Sequence, residues 1–234
     1  MMVSTTDSPY ENIIENAELR VFDLLHSLEW QLHSEKRYGS IWTMKCNVMN
    51  NYIYRYEGYI PNRSCAEVSA MIHPEGLHRS KWDSQSAGTT VVQEFNDNTS
   101  IILHKTHPRL MGLISARETV DLCKFKTDSL DGSRTVVMVS VENSNVPANP
   151  GVVRGNTYPT LLMLNPLGSS DTKITAILHA DMRLKNVPNS VVDAFAPKGI
   201  MTFFEDLIKY AANENNKVSL NHNLTGWNGT NISC

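Results

Sequence analysis

The sequence predicts an α+β domain in which a curved antiparallel β-sheet is closed by one long C-terminal helix, with an N-terminal helix packed outside. Three observations carry this reading. Apolar residues recur at clear helical spacing near the two ends of the chain. Between them lie short alternating or apolar runs joined by turn-forming residues, with no helical segment of βαβ length. A sheet of about eight or nine such strands cannot stay flat, because strand twist makes it curl. A curled sheet closed by a helix leaves an interior wide enough for a small molecule.

The first element is announced by Ser8-Pro9-Tyr10-Glu11, which combines capping-box spacing with proline at the first helical position. Ile13, Ile14, Ala17, Val21, Leu24, Leu25 and Leu28 then form its buried stripe. From Ile41 the period shortens, and Tyr52–Glu57 reads as a strand exposed on one side. A short helix around Ser64–His73 follows. The runs Thr89–Phe95, Ser100–Lys105, Thr119–Lys126, Thr135–Glu142, Thr160–Leu164 and Ile174–Asp181 read as strands, with turn chemistry at Asn96-Asp97-Asn98, Ser129–Gly132 and Gly168–Asp171. Near the end, Val187-Pro188-Asn189-Ser190 starts a short turn through Ala196, and Pro197 restarts a helix whose stripe is Ile200, Phe203, Phe204, Leu207, Ile208 and Ala211. The expected domain spans residues 8–213, with 1–7 and the Asn-rich 214–234 as flexible tails.

Composition narrows the function classes. The 234 residues are 41% apolar and 19% charged, which suits a globular domain burying roughly 70% of its unfolded surface. With 21 basic against 24 acidic residues, the net charge of −3 offers no general positive field for nucleic acid. No run approaches the ~18–20 apolar residues of a membrane span. The N-terminus lacks a signal-peptide pattern, so a cytoplasmic location is expected. Cys46, Cys65, Cys123 and Cys234 form no CxxC pair; they are expected to be free thiols, with no metal and no cofactor. The sequons at Asn62, Asn98, Asn223, Asn228 and Asn231 are read as chance in the absence of an export signal.

Five motifs then stand in order along the chain: Tyr54-Arg-Tyr-Glu-Gly58, Lys81-Trp82-Asp83, Leu113–Leu122 (LISARETVDL), Pro150–Gly155 (PGVVRG) and Val187–Asp193 (VPNSVVD). Together they resemble the START domain family, the StAR-related lipid-transfer domains, and in particular its short single-domain members. The resemblance implies the helix-grip fold, a curved sheet holding the C-terminal helix over a hydrophobic tunnel. It also implies non-vesicular lipid transfer without catalysis. Arg117-Glu118 stands where Arg-Asp is commoner, and Thr119 replaces an aromatic. Family members that bind cholesterol through a buried acid and arginine carry that pair at positions matching His104 and Cys123, which cannot recreate it.

Site residues follow from strand parity and from that resemblance. His104 shares a face with Ser100 and Ile102, Cys123 with Asp121 and Phe125, and Ser140 with Val136 and Met138. Each reads either as core packing or as a tunnel contact. The tunnel lining expected from the helix-grip fold adds Phe125, Met138, Val192, Phe195, Ile200, Phe203 and Leu207. Thr106–Ala116 reads as a loop folded on its own core or as a gate that dips into a membrane surface, with Leu110, Met111 and Leu113 on it and Leu184 and Val187 on the opposite lip. Arg117-Glu118 is expected to tie its loop to the sheet, and Trp82-Asp83 to combine core packing with a turn bond. His179 and Asp181 share a strand face without a third metal ligand.

A mostly apolar tunnel with one neutral hydrogen-bonding station suits a sterol or related steroid, whose lone hydroxyl needs a partner when buried. The expected protein is thus a monomeric sterol carrier with no nucleic-acid partner, meeting membranes transiently. Alternatives are a soluble bile-acid, oxysterol or other amphiphile sensor or buffer, or a phospholipid carrier. An enzyme on the same scaffold would require a reactive pair in the tunnel, for which only His104 and Cys123 qualify.

Overall fold

The computed structural model describes residues 9–47, 51–74, 78–96, 98–109, 114–184 and 189–213. Its first helix, α1 (Pro9–His26), buries Ile14, Ala17, Val21 and Leu24 on one stripe. Two residues of the expected stripe fall outside it. Ile13 is 38% exposed, and Leu28, beyond the helix end at His26, is fully in solvent. Lys124 and Lys126 clamp α1 from the sheet through Glu18, at 3.1 and 2.6 Å.

The sheet follows as β1 (Gln31–Lys36), β2 (Gly39–Cys46), β3 (Asn51–Ile60), β4 (Ser86–Asn96), β5 (Thr99–Thr106), β6 (Arg117–Thr127), β7 (Arg134–Ser140), β8 (Val153–Arg154), β10 (Thr160–Leu167) and β11 (Asp171–Leu178). Its order is β1-β2-β3-β11-β10-β7-β6-β5-β4, antiparallel throughout, while β8 lies parallel to β6. The short strands β9 (Asn156–Thr157) and β12 (Ala180–Asp181) pair separately, so the run expected from Ile174 to Asp181 is broken at His179. The polar β1, QLHSEK, has almost no buried side chain and hence no apolar signature.

Between β3 and β4 sit α2 (Cys65–Ile72) and the single turn α3 (Arg79–Trp82). A capping box starts α2: the Ser64 hydroxyl accepts from the Glu67 N–H, and the Ser64 N–H donates to Glu67. The final helix, α4 (Asn189–Ala212), is continuous rather than restarted at Pro197. Proline removes one hydrogen bond from a helix interior, and here Pro197 is buried, so packing offsets that loss.

Two apolar layers result. On the convex face, α1 covers Ile101, Leu103, Val120, Leu122, Val137, Leu161 and Ile177. On the concave face, α4 and α2 cover Ile41, Tyr56, Ile102, Phe125, Leu162, Leu164 and Ile174.

Candidate functional site

The concave layer is tight at the end built around Tyr56. At the tight end Tyr56 and Phe204 stack with ring centroids 3.7 Å apart, and the Tyr56 hydroxyl donates to the Tyr38 carbonyl at 2.9 Å. The facing glycines Gly39 and Gly58 allow this: a Cβ at either would collide with the Tyr56 ring. Leu207, Ile208 and Met201 fill the rest of that end. Arg63 seals it by donating to the Ala211 and Asn213 carbonyls at 2.8 and 3.2 Å, which satisfies the C-terminal end of α4.

Partly buried side chains surround this cluster. Val91, Met138, Leu178, Ala196, Ile200 and Phe203 join the same cluster but are only half-buried. Burial is the largest influence on the His104 imidazole and pushes its pKa down, yet 21% of its side-chain surface is accessible.

A polar station lies on this face. Strand register sets Asp121 between Ile102 of β5 and Ser140 of β7. The Ser140 hydroxyl donates to Asp121 Oδ1 and the Thr119 hydroxyl to Oδ2, both at 2.7 Å. Ser140 in turn accepts from the Thr157 N–H at 2.7 Å, which fixes the direction of its own proton. His104 Nε2 lies 3.9 Å from Asp121 Oδ2 and has no hydrogen-bond partner. Nearby, Arg79 pairs with Asp83 at 2.7 Å and lies over the rings of Trp82 and Phe203. Trp82 donates to the Met71 carbonyl at 2.9 Å, and Asp83 accepts from the Gln85 N–H at 3.0 Å.

The expected lining residues separate into groups. His104, Ser140, Met138, Ile200 and Phe203 are half-buried. Cys123, Phe125 and Leu207 are wholly enclosed in side-chain packing. Phe125 stacks on His73 at 5.4 Å, and the Cys123 thiol points to the Asp121 carbonyl at 3.6 Å. Val192 is half-buried. Phe195 departs from expectation: it is 43% exposed with Lys198 over its ring, because nine residues along a helix turn it away from the Phe204 side. Of the expected gate, Leu110, Met111, Leu113 and Val187 lie outside the described residues, and Leu184 is half-buried. Asp121 was not singled out beforehand, although it shares a face with Cys123.

The reactive pair that an enzyme would require is not assembled. His104 stands opposite Thr119 and Cys123 opposite Ser100, four positions further along the strands. Burial first, and Asp121 second, push the Cys123 thiol well up, which keeps it protonated. His179 Nε2 meets Asn51 Oδ1 at 3.2 Å and its ring lies against Tyr158. Among the described residues no group of three or more His, Cys, Asp or Glu could hold a metal ion.

The remaining motif residues fasten loops. Arg117 donates to the Met182 carbonyl at 3.2 Å and to Ser115, while Arg154 grips the buried Glu118 at 2.8 Å. Arg109 donates to Gln85, and Gln85 donates to the Gly199 carbonyl in α4 at 2.7 Å. No helix among the described residues is long and apolar enough to cross a membrane.

A sheet curved around a terminal helix, with a polar station on its otherwise apolar concave face, defines a helix-grip binding domain. The family model described as START domain matches residues 24–217. Human StAR-related lipid transfer protein 5 is 32% identical over 160 residues, covering 67% of this chain and 74% of the relative. Human StAR-related lipid transfer protein 4 is 24% identical over 189 residues, 79% of this chain and 89% of the relative. The solved structure of human StAR-related lipid transfer protein 5 superposes with a TM-score of 0.80 at 27% identity, covering 88% of this chain and 97% of that one. The chain belongs to the START domain family.

Proposed function

We propose that this protein binds one lipid, a sterol or related steroid, between the concave face and α4, and carries it between membranes as a one-to-one complex. The observation that carries this reading is the apolar layer between the sheet and α4, where Met138, Ile200 and Phe203 are only partly buried and a hydrogen-bonded Asp121 stands among the sheet residues. Relatives whose names describe lipid transfer support it.

Energetics favour a mostly hydrocarbon guest. Several hundred Å2 of buried apolar surface contributes on the order of 10 kcal/mol before binding costs, at ~25 cal/mol per Å2. The Arg109–Gln85–Gly199 tie joins the segment after β5 to the middle of α4, so it must break if those elements separate to admit a lipid. Exchange of a fluorescent sterol between donor and acceptor vesicles tests the proposal. Catalysed exchange well above the protein-free rate is expected. A rate equal to buffer, with bile acids or phospholipids moved instead, reassigns the ligand.

A further inference from the structure

We infer that Tyr56 sets the length of lipid this protein accepts: stacked on Phe204, it forms with its cross-strand neighbours a floor that stops the apolar end of the guest. This deepens the lipid-carrier proposal and rests on it.

Strand register lays the floor out. Ile41, Tyr56, Ala176, Leu162, Val136 and Phe125 stand opposite one another in a single row across β2, β3, β11, β10, β7 and β6. All six belong to the concave layer, and none is more than 8% exposed. Rings from the covering helices close the row on both sides: Phe204 of α4 stacks on Tyr56, and His73, at the end of α2, lies against Phe125 at 5.4 Å. Two residues along their strands, toward the β5–β6 connection, Met138 and Leu178 are only half-buried, so accessible surface returns beyond the row. Phe125 lies eight residues along β6 from Arg117, where that connection enters the sheet. The sheet above the row therefore runs for roughly 26 Å, at about 3.3 Å per residue. A guest held between the sheet and α4 from that side has this run and no more.

Within this row Tyr56 is the residue whose removal would extend the run. Its ring lies over Gly39 and Gly58, which face each other on β2 and β3; a Cβ on either would come within 2.7 Å of the ring carbon Cζ. The hydroxyl is held by the Tyr38 carbonyl at 2.9 Å and the ring face by Phe204, so the side chain has one position. Neither glycine has a side chain that could move into the space of a lost ring. Truncation would leave a hole that its surroundings close only in part. An apolar hole of that kind stays dry and takes an apolar guest. A tail that halts at the row in the wild-type protein could then enter it.

The test is displacement of dehydroergosterol, a fluorescent sterol, from the full-length protein by 3β-hydroxysterols whose straight side chains increase in length. With the wild-type protein, affinity should rise by up to about fourfold for each added methylene. It should then level off or fall once the tail meets the row, because overfilling a packed site is unfavourable. In Tyr56→Ala the rise should continue through longer chains, and the longest sterols should raise the Tm of the variant more than that of the wild type. Leu122→Ala, an equally buried truncation in the convex layer, should leave the turning point where it is. If Tyr56→Ala fails to fold, Phe204→Leu, which thins the same stack, should shift the turning point in the same direction. A wild-type affinity that climbs through the whole series, or a turning point that neither Tyr56→Ala nor Phe204→Leu moves, overturns the floor and leaves the carrier proposal standing. Failure of the wild-type protein to bind dehydroergosterol overturns the sterol proposal, and the floor with it.

Discussion

Along β6, Val120 and Leu122 point to one face of the sheet and Thr119, Asp121 and Cys123 to the other, and all five are buried. The convex set meets Ile14, Ala17, Val21 and Leu24 of α1 and packs as hydrocarbon on hydrocarbon. The concave set meets His104 and Ser140 and adjoins half-buried Met138, Ile200 and Phe203. Burial alone does not tell these faces apart. What separates them is chemistry: on the concave side Asp121 accepts from Thr119 and Ser140, whereas the convex residues of β6 meet only hydrocarbon. The convex face packs α1 onto the sheet, and the concave face sets a hydrogen-bonded carboxylate within the layer that α4 and α2 cover.

Adjacent residues of β7 offer the sharpest way to break this contrast. Val137 lies in the convex layer and Met138 in the concave one. Val137→Trp should fail to fold or lose well over the ~1–3 kcal/mol typical of overpacking. Met138→Trp should fold with a loss of less than about 1 kcal/mol in urea denaturation and should abolish sterol binding. Comparable destabilisation by both would mean that the concave face is solid.

Truncations should show the same asymmetry more mildly. Leu122→Ala is expected to cost about 3 kcal/mol, whereas Met138→Ala should cost less than half of that, since Leu122 is fully buried and Met138 only partly so. Equal midpoint shifts would erase the distinction.

The third effect is pH-dependent and belongs to the convex side. Burial, and then the charge of Arg20, hold His179 at a pKa of about 4 against the ordinary 6.5. Below 6.5 the unfolded chain takes up a proton that the folded one refuses, so stability falls as pH drops from 6.5 toward 4. His179→Gln should flatten that part of the Tm-versus-pH curve, while an unchanged slope would assign it to other groups.

The smallest effect concerns the tie to α4. Gln85→Ala should leave Tm within a few degrees of wild type and raise the sterol dissociation rate by about two- to fivefold, the worth of one hydrogen bond in partly wet surroundings. An unaltered rate would remove this tie from the path of the lipid.

Much of this organisation was legible in the residues. Ile14, Ala17, Val21 and Leu24 gave α1, and the alternating runs gave most strands of the sheet. The stripe from Ile200 to Ala211 placed the covering helix. Less visible was β1, since QLHSEK is held by its ladder to β2 and buries almost nothing. Pro197 read as a break because the cost of proline is local, while the packing that carries the helix through it is not. Phe195 read as lining because an aromatic at the head of a covering helix is expected to be buried, whereas its position in the helix turns it outward.

The sequence by itself determined the order of the elements, the faces along each strand and the family, because these depend on short-range periodicity and on motifs readable within one stretch of chain. Only the tertiary structure decided which face packs against α1 and which holds a polar station. Asp121 meets Ser140 nineteen residues away and His104 seventeen away through the registers of three neighbouring strands. Parity says only that such residues share a side. Which of them meet, and with how much space between them, is set by how the strands align and curl and by where α4 comes to rest.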